Sequence, residues 1–179
     1  MKSLTNRTTP LTQDQVDAWF RAHLPYLRVS LTNHLRLCEN PELFGTMTDS
    51  ERHRVRVCAY EVGVLTCRKF IEFLGLSIKY NPYRLVEKRD YYTALEDGNS
   101  YEVKVVDLGG NWIELSKLTD NEKELLRKIY LTGHRATVHL TDGSPYQGEW
   151  EIFHDAVKLV DKLLKEHLFD VVGKSATIQ

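Results

Sequence analysis

The chain has 179 residues, 24 Lys and Arg against 25 Asp and Glu, a formal net charge of -1 and a hydrophobic share of 42%. That length supports one domain with a substantial core. The charge balance excludes a chain-wide basic field for nucleic acid and leaves only a local patch open to that role.

No apolar run approaches the ~20 residues that span a bilayer. The polar start MKSLTNRTTP lacks the apolar stretch of a secretory signal. The expectation is a cytoplasmic protein with no membrane partner. Residues 1–11 read as a flexible N-terminal tail, 12–172 as a single helical domain and 173–179 as a flexible C-terminal tail.

Thr12 is a fitting N-cap for the first helix. Val16, Trp19, Phe20, His23, Leu24, Leu27, Leu31, Leu35 and Cys38 then recur at helical spacing. Pro25 removes a backbone donor within that run, so a kink or break is expected there. Asn40-Pro41 is a stop signal. Thr48-Asp-Ser-Glu51 matches a capping box, opening a second helix that runs to about Leu74 with Gly75 as its C-terminal cap. Its later half is apolar on most sides, and Arg54, Glu61 and Arg68 form one narrow charged stripe. Such a helix belongs at the centre of a bundle.

Asn81-Pro82-Tyr83 reads as a turn and Asp90 to Leu95 as a short helix. Tyr101-Glu-Val-Lys-Val105 alternates apolar and polar residues, Asp107-Leu-Gly-Gly110 turns, and Asn111-Trp-Ile-Glu-Leu115 follows, which predicts a β-hairpin. Thr119-Asp-Asn-Glu122 is a second capping-box match. Leu125, Leu126, Ile129, Tyr130, Gly133, Ala136 and Leu140 continue behind it. Gly133 either breaks that helix or permits close packing of another backbone. A last helix is expected from about Gly148 to Phe169, with Asp161 and Lys165 paired across one turn. The fold class is mostly α: a four-to-five-helix bundle with a small β-hairpin inserted before the third long helix.

Cys38, Cys58 and Cys67 are odd in number and lack CxxC spacing, which argues against a disulfide framework or a zinc site. They read as reduced, buried thiols. His134 and His139, five residues apart, project about 140° apart on a helix, a poor arrangement for one ion. No cofactor and no metal are expected. His23 and His34 fall on the apolar side of the first helix and read as core or boundary histidines. No Walker, GxGxxG, HExxH, GxSxG or EF-hand pattern occurs. Asp107-Leu-Gly-Gly110 is better read as a turn than as a phosphate cradle.

Two stretches hold residues suited to phosphate chemistry. In the first, Arg135 and His139 are four apart and share a helix face if the helix continues. An imidazole can move a proton near neutral pH, and a guanidinium can brace charge on phosphate oxygens. In the second, Arg84, Lys88 and Arg89 interleave with Tyr83, Tyr91 and Tyr92, a composition that can neutralise and stack a single strand of RNA. A solvated loop packing its tyrosines inward is the competing reading.

The run His134-Arg-Ala-Thr-Val-His-Leu-Thr141, with Asp107-Leu-Gly-Gly110 and the capped helix from Thr119, resembles the HEPN superfamily of helical bundles found in prokaryotic defence and toxin systems. The resemblance implies a homodimer and, in active members, a metal-independent endoribonuclease that leaves a 2′,3′-cyclic phosphate. It gives His139 the proton-transfer role. Two registers compete for the arginine: Arg135 with His139, and Arg127 with His134. Non-catalytic members are also implied. Because the arginine spacing departs from the family pattern, a non-catalytic, dimeric interaction or defence module is favoured over a toxin-like ribonuclease. RNA and a protein partner such as an antitoxin are the other partners implied. No heptad repeat is long enough to demand a dimer.

Overall fold

The computed structural model describes residues 4–5, 9–92, 102–138 and 150–174. The fold is mostly α, as the periodicity predicts. Helix α1 (Gln13–Ala18) opens on a reciprocal cap. The Thr12 amide donates to Gln15 Oε1 at 2.9 Å, and the Gln15 amide donates to Thr12 Oγ1 at 3.3 Å. The chain continues through a π turn, Trp19–His23, directly into α2 (Leu24–Glu39). Pro25 has no amide to donate, and its ring crowds the carbonyl one turn back. Widening the preceding turn, so that the Leu24 amide donates to Trp19 O, lets the axis run on. The expected kink or break is therefore a π turn.

Helix α3 (Asp49–Phe73) begins at the predicted box, the Thr48 amide donating to Glu51 Oε2 at 2.8 Å. It ends at Gly75, whose φ of +88° is the left-handed conformation glycine adopts without strain. Strands β2 (Leu76–Lys79) and β3 (Arg84–Glu87) follow as an antiparallel pair, Leu76 opposite Glu87 and Lys79 opposite Arg84. The hairpin thus precedes the third long helix, but not at the predicted residues. Segment 102–118 holds two short 3₁₀ turns, Val105–Leu108 and Leu115–Lys117, and otherwise irregular backbone.

The alternation there misleads because a cation points inward. Lys104 is only 4% exposed, and its amine donates to Glu72 O at 3.0 Å and pairs with Glu102 Oε2 at 3.1 Å. It satisfies a carbonyl at the C-terminal end of α3, where helices lack partners and favour positive charge. Val105, Leu108 and Ile113 are buried around it. A further correction concerns β4 (Tyr91–Tyr92), which pairs antiparallel with β1 (Leu4–Thr5). Within the helix expected at 90–95, Tyr91–Tyr92 are strand, and 93–95 lie outside the described residues; the pairing ties Leu4–Thr5, expected within a loose tail, to the body. Pairing with a distant segment is invisible to local propensity.

Helix α4 (Asp120–Val138) carries the second predicted cap, the Thr119 amide donating to Glu122 Oε2 at 3.0 Å and the Glu122 amide to Thr119 Oγ1 at 3.2 Å. Gly133 does not break it. It faces Val64 of α3, so the glycine serves close packing. Helix α5 (Trp150–Leu164) leads through a second π turn, Lys165–Phe169, into α6 (Asp170–Val172). Leu31, Val64, Phe70, Leu126, Phe153 and Val160 meet in the core between α2, α3, α4 and α5. The predicted Asp161–Lys165 pair does not form. Arg28 takes Asp161 instead, with contacts of 2.8 and 3.0 Å, and Lys165 pairs with Asp170. A bidentate guanidinium fork with both atoms largely sheltered outcompetes an exposed lysine. No described helix is long and apolar enough to cross a membrane.

A Cβ added at Gly75 would collide with the Trp112 ring. Gly75→Ala is therefore expected to destabilise the protein by about 2–3 kcal/mol, from left-handed backbone strain plus overpacking. Urea unfolding followed by circular dichroism measures it, and an unchanged midpoint would contradict this account of the α3 terminus.

Candidate functional site

Of the residues singled out for phosphate chemistry, the side chains of Arg127, Arg84, Lys88 and Arg89 are described. His139 lies outside the described residues. His134 and Arg135 are backbone positions in the last turns of α4. Arg127 is described in full, and its guanidinium is held by Glu124 one turn back, with contacts of 2.7 and 2.6 Å. This carboxylate neutralises the charge that a phosphate would need. The Glu124 carboxyl is correspondingly held below its ordinary range, chiefly by the Arg127 hydrogen bond.

Arg84, Lys88 and Arg89 stand on and after β3, far from the end of α4. Ser77 on β2 meets Tyr130 in the middle of α4 at 3.4 Å. The last turns of α4 instead pass beside Val64, toward the N-terminal half of α3. Eleven residues of α3 separate Val64 from Gly75, about 16 Å along a helix. Arg89 pairs with Glu87 at 3.0 Å, and the other oxygen of Glu87 accepts the Leu115 amide at 2.9 Å. Tyr80 and Tyr83 are not packed inward, as the competing reading supposed. They are 45% and 47% exposed, edge to face at the tip of the hairpin.

What the fold does gather is a cluster of three metal-ligating side chains at the end of the bundle toward which α4 runs. His34 and Cys38 sit one turn apart on α2, which puts both on one face. His154, from the first turns of α5, completes the group. His34 Nδ1 and His154 Nε2 are 3.1 Å apart, and Cys38 Sγ lies 3.8 Å from His34 Nε2 and 3.9 Å from Nδ1. One donor atom from each residue can be chosen so that all lie within 4.8 Å of one another. His34 is wholly buried, while Cys38 and His154 are half-buried. Trp150, Phe153 and Tyr60 set their rings edge-on to His34, at 4.6, 5.4 and 5.6 Å between centroids, and so fix its plane.

The electrostatics keep this group neutral. Burial, then the charges of His154 and Arg56, hold His34 down at about 4. Burial and Lys158 lower His154, with Glu39 and Asp155 acting against them. Burial pushes the Cys38 thiol up, with Arg56 drawing it partway back. Both imidazoles therefore offer lone pairs at neutral pH. The reading of His34 as a core histidine holds for its burial but misses its partners. Its spacing to Cys38 is visible in the sequence, whereas His154 lies 120 residues on. The cysteines also differ from expectation: Cys67 is buried, but Cys58 is exposed.

A separate cavity of about 390 Å³ lies near the other end of α3, walled by Trp19, Leu27, Phe70 and Phe73 and rimmed by Lys69, Glu72 and Glu102. The Lys104 amine beside it is already engaged by Glu72 O and Glu102. The chain matches no family model, no curated protein and no solved structure.

The two protonation states of His34 make stability depend on pH. Unfolded, the ring takes a proton near 6.5; folded, it resists down to about 4. Between these values the unfolded chain holds more protons, so stability rises with pH there. Acidification from pH 7 to 4 is expected to remove on the order of 2–3 kcal/mol through this ring. Urea midpoints measured across that range in EDTA test it, and a flat profile above pH 5 would rule it out.

Proposed function

We propose that the protein is a HEPN-like, non-catalytic interaction module of the cytoplasm that acts as a homodimer through the outer face of α3. The observation that carries this reading is an exposed apolar stripe on an otherwise central helix. Val55, Cys58, Val62 and Leu65 recur at three- and four-residue steps, the spacing of a helix–helix seam. Val62 is 47% exposed and Leu65 37%, and Cys58 is exposed as well. Exposed Val29 continues the patch along a groove between α2 and α3, where buried Ala59 lies on the wall.

A second copy is the occupant that fits. Arg54 and Glu61 flank the stripe seven residues apart, in equivalent positions on the helix. When two α3 helices pack antiparallel about a point midway between Val57 and Cys58, Arg54 of each copy comes opposite Glu61 of the other. That arrangement is self-complementary, as a twofold interface requires. The non-catalytic part of the reading draws on Arg127, whose guanidinium is committed to Glu124. The superfamily assignment itself rests on the sequence resemblance, and a defence setting with a protein partner follows from it alone.

Sedimentation equilibrium is expected to give a dimer whose self-association weakens by at least about tenfold in Val62→Lys, with unchanged helicity. A thiol-reactive cross-linker should join two copies through Cys58, and Cys58→Ser should abolish the link. A monomer at all concentrations would reject the dimer. Incubation with single-stranded RNA in EDTA tests the other half of the reading. The expected result is no cleavage; cleavage lost in His139→Ala would establish the endoribonuclease instead, with His134 and Arg135 as its next residues to vary.

A further inference from the structure

We infer that His34, Cys38 and His154 form a binding site for Zn²⁺, with Cys38 as thiolate and the two imidazoles neutral. The distances fit an ion at the centre of the group. With Zn–N of about 2.0–2.1 Å and Zn–S of about 2.3 Å, tetrahedral ligands stand roughly 3.4 Å apart for two nitrogens and roughly 3.6 Å for nitrogen and sulfur. Here the two nitrogens are 3.1 Å apart, and the sulfur is 3.8–3.9 Å from the His34 ring. Opening the first and closing the second by about 0.3 Å meets both values, and the Cys38 sulfur must also draw in toward His154, from whose ring nitrogen it lies within 4.8 Å, by χ rotation of the three side chains.

The residue types are the ones this ion selects: a borderline-soft cation takes imidazole nitrogen and thiolate sulfur together. The surroundings support it. The rings of Trp150, Phe153 and Tyr60 fix the plane of His34, the wholly buried ligand. Shells of this kind orient ligands and exclude water. The neighbouring charges offset one another. Arg56 lies near His34 and Cys38 and opposes a cation, whereas the Cys38 thiolate and the Glu39 carboxylate, which influences both Cys38 and His154, favour one. Exposed Glu39, next in sequence to Cys38, or a water molecule supplies the fourth position. On binding, the Cys38 S–H bond breaks, its electron pair goes to the metal, and one proton is released to solvent.

The competing account is that the two imidazoles share one proton in a hydrogen bond and the thiol is a bystander. Titration of the full-length, EDTA-treated and reduced protein with Co²⁺ separates the two. Site formation predicts one equivalent bound, with the d–d absorption of tetrahedral cobalt and a thiolate-to-cobalt charge-transfer band, both displaced by Zn²⁺. Cys38→Ser should abolish the charge-transfer band, and His154→Gln should weaken Zn²⁺ binding by about 100-fold or more. Both positions are half-buried, and circular dichroism reports whether each variant keeps its fold. Cys58→Ser should bind as the parent does. Absence of the thiolate band in the parent protein, or a Zn²⁺ affinity unchanged from the parent in Cys38→Ser or His154→Gln, would overturn the site.

Discussion

The fork between Arg28 and Asp161 sets the register on which the cluster of histidines depends. The guanidinium meets both carboxylate oxygens in a largely sheltered setting, and it also lies over the Phe169 ring at 5.2 Å. Such a two-point contact fixes orientation as well as distance. From it, α2 advances six residues to His34 while α5 retreats seven to His154. At 1.5 Å per residue these are about 9 and 10.5 Å along two helices running in opposite directions. The two rings therefore arrive at the same level and meet at 3.1 Å. A slip of one residue between α2 and α5 would move the rings about 1.5 Å past each other along the axis and break their contact.

Around this pair, α3 does two kinds of work on different faces. Inward, it contributes Val64 and Phe70 to the core, and Gly63 lets Phe153 of α5 come close to its backbone. Toward α4, Arg68 and the Tyr130 hydroxyl converge on Glu72, with Ser77 at the far side of the hydroxyl. Burial, with the Glu72 carboxylate acting alongside it, drives the Tyr130 phenol up to about 12, so it remains a donor at neutral pH. Outward, the same helix leaves Cys58, Val62 and Leu65 in solvent. Hydrophobic surface left exposed on a helix that is otherwise central is where a partner gains the most from docking.

Much of the helical frame was legible because its signals are local. Each of the three boxes involves a threonine and a residue three positions on, so Thr12, Thr48 and Thr119 announce helix starts without reference to the rest of the chain. Gly75 likewise marks an end. The hairpin was misplaced because Val103 and Val105 mimic strand alternation, while Lys104 between them is drawn inward by a carbonyl of α3. Nothing near Lys104 in sequence signals that carbonyl. The same limit hid the metal-ligating group. Spacing arguments see His34 with Cys38, but His154 joins them only through the packing of α5 on α2. The exposure of Cys58 was hidden for the converse reason: an apolar run tells which residues prefer burial, not how many faces have neighbours.

The two π turns, Trp19–His23 and Lys165–Phe169, lie against each other, with Phe20 and Phe169 edge to face at 6.1 Å between centroids. Each turn behaves as one surplus residue in an otherwise α-helical rod. A helical wheel drawn straight through 13–39 is therefore out of phase before and after residue 23. Deleting one residue within 19–23 would restore unbroken α geometry but swing everything ahead of it by about 100° around the axis. Trp19, now stacked 6.5 Å from Phe73, would be turned away from the wall it helps to build. The surplus residue is thus an angular spacer, and the length of this stretch matters as much as its composition.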